Sequence, residues 1–217
     1  MQLFALIITT ILPGRQLERC NWISPAGGSI EAVCQREARR LGLEEMDVYL
    51  WDQTVPTGLP MGTKDSGVLV LSSGLVELLD DEALRAAILH ELAHVRLGHS
   101  RTLTRLLGVI VGVIAAIGLH RQSSRRRRVL TQAMISGVGT LAILAVMRRM
   151  ELEADAATIA YTRDAESLAR ALLIVRSGDP TASVSEYEPS PRSPLAGLLT
   201  IYPSPERRFP ELFGESR

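Results

Sequence analysis

Residues 81–98, DEALRAAILHELAHVRLG, decide how the central part of this 217-residue chain folds. Apolar residues recur there at helical spacing, which predicts an amphipathic helix packed against a core. They are Leu84, Ile88, Leu92 and Val95. Asp80 or Asp81 can cap the first turn of this helix, which is expected to run to about Gly98.

The predicted helix carries His90, Glu91 and His94 in the arrangement His-Glu-x-x-His. Residues four apart lie about 40° from each other around a helix, so both imidazoles leave one face and can bind one zinc ion. The Glu91 carboxylate lies one step round the helix and can accept a proton from a water that zinc activates. Chance gives this motif in roughly one such sequence in 200, so it favours a peptidase metal site over two surface histidines.

A catalytic zinc site needs a third protein ligand and leaves a fourth position open. His99 is close in sequence, but in a continuous helix its side chain points about 140° to 180° away from those of His90 and His94. The extended pattern HExxHxxGxxH is excluded, because Leu97 and Ser100 stand where it requires glycine and histidine. A distal acidic residue is therefore the remaining kind of ligand.

Glu151 and Asp155 are four residues apart, at the start of a helix predicted to follow the second of two apolar stretches. From one helix face, Glu151 can ligate zinc while Asp155 orients a ligand histidine by accepting the proton of its other ring nitrogen. Glu153 is expected to face solvent. Two acids at this spacing are usually a solvated helix face, so the assignment depends on the helix of His90 lacking a third ligand.

The two apolar stretches predict a helical hairpin. Residues 129–147 contain no charge, and a helix of this length can span a bilayer core. The first stretch is interrupted by Arg105, which leaves residues 106–119 uncharged; it can still span if Arg105 extends towards the headgroups. Four arginines at 125–128 fit a loop at a membrane surface. A hairpin buried in a soluble fold is the alternative.

The sequence predicts an α+β fold, in which a mainly helical zinc-peptidase domain with a small β-sheet is interrupted by the apolar hairpin. Strands are expected at residues 47–52 and 67–72, with a Pro/Gly-rich connection at 53–65 between them. The expected units are an apolar N-terminal segment at 1–17, the peptidase domain at 18–102 and 148–217, and the hairpin at 103–147. The 24 basic and 24 acidic residues cancel, so no nucleic-acid partner is expected.

These motifs, in this order, resemble those of the membrane zinc metallopeptidases typified by HtpX and the CAAX prenyl endopeptidase. The resemblance covers residues 30–215. It rests on VLSSGL at 70–75, LDDE at 79–82, HELAH at 90–94 followed by His99, the apolar hairpin, and ELEAD at 151–155.

The resemblance implies one Zn²⁺ per chain, with His90, His94 and Glu151 as ligands, Asp155 behind them and Glu91 as general base for hydrolysis of peptide bonds. It places the hairpin in a bacterial-type inner membrane and the catalytic domain in the cytosol, acting on membrane or membrane-proximal proteins. It also implies that the polypeptide substrate is added as a β-strand along one strand of the sheet. The residues concerned are Val68, Leu69, Val70 and Leu71.

The chain departs from the family pattern at two places. It has Leu-Pro-Met-Gly at 59–62, where family members often have Asn-Ala-Phe-Ala. In the C-terminal motif Tyr202 replaces a histidine, while Arg208 fits the family arginine and is expected to contact substrate. A tyrosine hydroxyl can still donate to an oxyanion, so Tyr202 is expected to stabilise the transition state. A non-catalytic membrane scaffold with a structural zinc site is the rival reading, and the intact Glu91 argues against it.

Overall fold

A computed structural model describes residues 23–62, 66–119, 124–187 and 201–213. The expected apolar segment at 1–17 lies outside the described residues. The elements follow in this order: β1 (Ile23–Pro25), α1 (Gly28–Arg40), β2 (Glu45–Trp51), β3 (Gly58–Gly62), β4 (Ser66–Ser72), α2 (Ser73–Leu78), α3 (Asp81–Leu97), α4 (His99–Leu119), α5 (Arg125–Thr162), α6 (Ala165–Ser177) and α7 (Pro205–Arg208).

Strands β1 to β4 form a mixed sheet in the order β1-β2-β4-β3. The two predicted strands, β2 and β4, are its parallel central pair, while β1 and β3 flank them in antiparallel orientation. The sequence did not predict β3, because its segment reads as a Pro/Gly-rich connection. Proline is compatible with a strand at the edge of a sheet, where its missing N–H faces outwards.

The expected site of strand addition is wrong. Strand β4 is internal to the sheet, and the backbone of its central residues pairs with β2 on one side and β3 on the other. No backbone pairing groups remain there for a substrate strand. The residues are Val68, Leu69, Val70 and Leu71. The edge strand next to α3 is β3, so strand addition would have to occur on β3.

The core lies between the sheet and helices α1, α2, α3 and α6. The periodicity that predicted α3 is confirmed, because Ile88, Leu92 and Val95 are fully buried and Leu84 packs at the edge of the same cluster. Burial of such aliphatic side chains contributes about 1.5–3 kcal/mol each. The Asp80 carboxylate caps α3 by accepting a hydrogen bond from the Ala83 N–H, at 3.0 Å.

Helix α3 ends at Gly98, which adopts the left-handed conformation with φ of 69°. Glycine is favoured at such a C-terminal position because it has no Cβ to clash with the backbone. The chain changes direction there and begins α4 at His99. The premise of one continuous helix through His99 is therefore wrong.

Helices α4 and α5 pack against each other as the predicted hairpin. Both are long and apolar enough to cross a membrane, and little of their apolar surface is buried within the protein. Val109, Met134 and Val138 are 65%, 71% and 68% exposed. Such exposure is unlike that of a core helix in a soluble fold.

Two details of the hairpin differ from expectation. Helix α5 continues without a break from the apolar stretch through Glu151, so no new helix begins there. The glycine pairs at 108 and 112 and at 137 and 139 are expected to allow close helix contact, but among these four only Gly139 contacts the other helix, where an added Cβ would lie 3.0 Å from Ile110. An added Cβ would meet nothing within 4 Å at Gly108, Gly112 or Gly137.

The tight approach of α2 to the segment before β3 generates a prediction. An added Cβ at Gly74 would lie 2.0 Å from the Thr54 carbonyl oxygen. Replacing Gly74 with alanine should therefore lower the free energy of unfolding by about 1–3 kcal/mol, as overpacking does elsewhere. Thermal unfolding of the purified protein measures this, with Gly108→Ala as the matched control. An unchanged melting temperature in Gly74→Ala would contradict the close approach.

Candidate metal centre and active site

Helices α3 and α5 bring His90, His94 and Glu151 to one point. The Nε2 atoms of His90 and His94 are 3.2 Å apart. Glu151 Oε2 lies 3.5 Å from His90 Nε2, and Glu151 Oε1 lies 3.7 Å from His94 Nε2. These three are the described residues whose ligand atoms cluster closely enough to hold a metal ion, all within 4.8 Å of one another.

The spacing of these atoms fits a zinc ion. Bonds of about 2.0–2.2 Å in a tetrahedron place neighbouring ligand atoms about 3.4 Å apart. The two Nε2 atoms are 3.2 Å apart, while one Glu151 oxygen lies 3.5 Å from His90 and the other Glu151 oxygen lies 3.7 Å from His94, all close to that value. Two imidazole nitrogens and one carboxylate oxygen are also the ligand set of catalytic zinc sites that keep one position open.

The charges around the two imidazoles also favour a bound cation. Burial alone lowers the pKa of both rings. For His90 this effect is outweighed by Asp155 and Glu151, whose carboxylates raise its pKa above the usual value. The pKa of His94 stays low because of burial and the charge on His90. The pocket thus stabilises one positive charge beside Glu151 and Asp155. A bound metal ion would supply such a charge.

The second ring nitrogen of each histidine lies close to a polar side chain. His90 Nδ1 lies 3.0 Å from Asp155 Oδ1, and His94 Nδ1 lies 2.9 Å from His99 Nδ1. His99 Nε2 in turn lies 3.4 Å from Glu153 Oε2. If Nδ1 of each of the first two rings carries the proton, each Nε2 has a free lone pair that points at the metal position.

Sequence reasoning missed the place of His99. Its exclusion from the cluster of three ligands stands, but its ring contacts His94 because the chain turns at Gly98. The signal was present in the sequence, since a glycine one residue before His99 is typical of a helix end. Glu153 was expected to be solvated; its half-exposed carboxylate pairs with Arg149 at 2.7 Å as well as facing His99.

Arg208 connects α7 to the acids of α5. Its Nε donates to Asp155 Oδ2 at 2.6 Å and its Nη2 donates to Asp155 Oδ1 at 2.7 Å. The same Nη2 lies 3.3 Å from Glu151 Oε2. These contacts hold both carboxylates in place, which is a positioning role. The expected contact of Arg208 with substrate stays a prediction.

Glu91 lies under the edge strand β3. An added Cβ at Gly58 would stand 2.8 Å from the Cγ, Cδ and Oε1 atoms of Glu91, so a side chain at this position would displace the Glu91 carboxylate. Burial raises the pKa of Glu91 to about 7, against the lowering effect of His90. A carboxyl group with a raised pKa beside a metal position is suited to accept and return a proton.

Tyr202 lies near the two site glutamates. The residue as a whole is 47% exposed. Its pKa is raised above the usual range by desolvation of the hydroxyl and by the charges of Glu151 and Glu91. The hydroxyl therefore keeps its proton at neutral pH and remains a hydrogen-bond donor beside the site.

Comparison with known proteins identifies the family of the chain. The sequence profile of peptidase family M48 matches residues 27–215. The chain belongs to peptidase family M48. Membership in this metallopeptidase family confirms the resemblance to HtpX and the CAAX endopeptidase that the order of motifs indicated.

Two M48 relatives illustrate the range of similarity. A protein named protease HtpX homolog, from Acidiphilium cryptum (strain JF-5), is 30% identical over 197 residues, which are 84% of this chain and 67% of that protein. Another of the same name, from Dictyoglomus thermophilum, is 34% identical over 148 residues, 60% of this chain and 48% of that protein. The chain thus spans about two thirds of the first relative and about half of the second.

The fold of this M48 chain is also found in a solved structure. The crystal structure of S. mikatae Ste24p superimposes with a TM-score of 0.64 and 17% sequence identity. The match covers 97% of this chain and 56% of Ste24p. The likeness shows that the chain has a Ste24p-like fold, mostly helical with a small mixed sheet and two apolar helices.

The buried contacts of Arg208 generate a prediction. Replacing Arg208 with methionine leaves the Asp155 carboxylate buried without its bidentate cation, which should cost about 3–5 kcal/mol of unfolding free energy. The double variant Arg208→Met/Asp155→Asn should recover part of that loss, because it removes the stranded charge as well. Chemical unfolding of the metal-free protein measures both. Equal losses in the single and double variants would contradict the coupling between these two residues.

Proposed function

We propose that this chain is a zinc-dependent endopeptidase that hydrolyses peptide bonds with Glu91 as general base. The observation that carries the proposal is the convergence of His90, His94 and Glu151, whose ligand atoms lie within 4.8 Å of one another, with Glu91 beside them. Asp155 and His99 hold the two ligand rings, and Arg208 holds the acids. Membership in family M48 supports the same reaction class.

The side chains then have distinct roles. When bound, zinc supplies a Lewis acid that activates water and polarises the scissile carbonyl group. The Glu91 carboxylate accepts the proton of the attacking water and returns it to the nitrogen of the leaving amine. The Tyr202 hydroxyl donates to the carbonyl oxygen as that oxygen becomes negative. Burial of Glu91 strengthens its interactions with charged groups because water screens them less.

The proposed substrate is a polypeptide in extended conformation, added to the sheet at β3. This strand is at the edge of the sheet and passes directly over Glu91. An added strand would therefore place its backbone next to the general base and the metal ligands. This proposal replaces the one that placed the substrate on β4.

The hairpin suggests where the enzyme acts. Because α4 and α5 expose apolar surface and α5 continues into Glu151, we propose that the hairpin lies in a membrane and keeps the active site close to it. Substrates would then be membrane or membrane-proximal proteins, as in quality control of damaged proteins. The resemblance places the catalytic domain in the cytosol. The arginine counts do not decide on which side of the membrane the catalytic domain lies, because five arginines lie near each end of the hairpin.

The proposed reaction predicts a separation of catalysis from metal binding. The change Glu91→Gln removes the base without removing a ligand, so cleavage of β-casein should fall by a factor of about 10²–10⁴ while zinc content stays unchanged. The matched control is Glu77→Gln, an exposed acid on α2 that should retain full activity. If wild type and Glu91→Gln bind zinc and neither cleaves casein, the chain is a scaffold with a structural zinc site.

A further inference from the structure

The pairing of β3 with β4 determines which backbone groups of β3 point to the open side of the sheet. The Thr57 carbonyl accepts a hydrogen bond from the Ser72 N–H at 2.9 Å, and Gly58 lies opposite Leu71. In an antiparallel pair, successive residues face the partner strand and the open side in turn. Residues 59 and 61 therefore bond to β4. The backbone groups of 58, 60 and 62 point to the open side of the sheet.

Two prolines limit the number of backbone N–H donors on this open side. Pro56 and Pro60 lie two residues before and two residues after Gly58, and neither has an N–H group. The N–H of Thr57 is taken by the Ser72 hydroxyl at 2.9 Å. Between residues 56 and 61, the one amide that points outwards is therefore that of Gly58.

Helix α4 closes the edge beyond Gly58. The Ser100 hydroxyl, in the first turn of α4, donates to the Pro60 carbonyl at 3.1 Å. A paired strand would have to run about 4.8 Å from β3 on that same side. The first turn of α4 already occupies this space at Pro60. Neither backbone group of Pro60 can therefore pair with a substrate strand. Proline has no N–H, and its carbonyl already accepts a hydrogen bond from Ser100.

Gly58 is also the residue that passes over Glu91. The single pairing position of the edge thus coincides with the position of the general base. We infer that β3 holds a substrate through one residue only, opposite Gly58, and that Pro60 and Ser100 end the strand pairing. This inference rests on the proposed peptidase function. It defines the substrate as an extended segment that tolerates proline or another N-substituted residue two positions from the anchored residue.

Backbone N-methylation of a bound peptide tests the inference. Overlapping peptides from β-casein are screened for binding to zinc-loaded Glu91→Gln protein by fluorescence anisotropy, and the tightest binder is N-methylated at each position in turn. One position should lose about tenfold in affinity, because its N–H can no longer bond to Gly58. Methylation of the residue that would lie opposite Pro60, two positions away, should have no effect, because the Ser100 hydroxyl already occupies the Pro60 carbonyl. Sensitive positions on both sides of the first, each at a spacing of two, would overturn the inference.

The variant Pro60→Ala/Ser100→Ala identifies the cause. It restores an outward N–H and frees the carbonyl at residue 60, so a second sensitive position should appear two residues from the first. Pro60→Ala alone, which leaves the Ser100 hydroxyl on the carbonyl of residue 60, is the control and should keep the wild-type pattern, because a peptide N–H can bond only to a free carbonyl. An unchanged pattern in the double variant, or no casein peptide that binds, would overturn the inference. Absence of casein cleavage by wild type, with peptide binding intact, would instead overturn the proposed function.

Discussion

The buried carboxylates of Glu151 and Asp155 impose the constraint on which the rest of the site depends. A carboxylate removed from water is costly unless opposite charges and hydrogen-bond donors surround it. Here the partners come from distant parts of the chain: His90 from α3 and Arg208 from α7. Neutralising two acids on α5 therefore fixes three elements relative to one another. A cation bound between the acids and the imidazoles would complete the compensation.

Two backbone features position these groups. The turn at Gly98 directs His99 back onto His94 and starts α4 in a new direction, so the HExxH helix and the hairpin meet beside the site. Helix α5 then runs unbroken through 38 residues, from the far end of the hairpin past the face that carries Glu151 and Asp155. At 1.5 Å per residue that is about 57 Å of one helix. No break in the helix separates the hairpin from Glu151, so the orientation of the hairpin determines that of Glu151.

Much of this could be predicted from sequence, for identifiable reasons. Local periodicity gave α3, β2, β4 and the apolar hairpin, and the i,i+4 spacings gave the shared faces of His90 with His94 and of Glu151 with Asp155. Features that depend on tertiary pairing could not be read in this way. The sequence of β3 has poor intrinsic β-strand propensity. The strand forms because its backbone pairs with that of β4. The contacts of Arg208 connect residues 53 apart in the sequence, and no local pattern encodes them.

The central claim is that His90, His94 and Glu151 hold one zinc ion. Metal content by mass spectrometry on purified protein tests it most directly, comparing wild type with His94→Ala, Glu151→Ala and the exposed-acid control Glu166→Ala. The account predicts close to one zinc per chain in wild type and in Glu166→Ala, and loss of zinc in the other two variants. Zinc retained in Glu151→Ala would place the third ligand elsewhere, and absence of zinc from wild type would contradict the metal centre altogether.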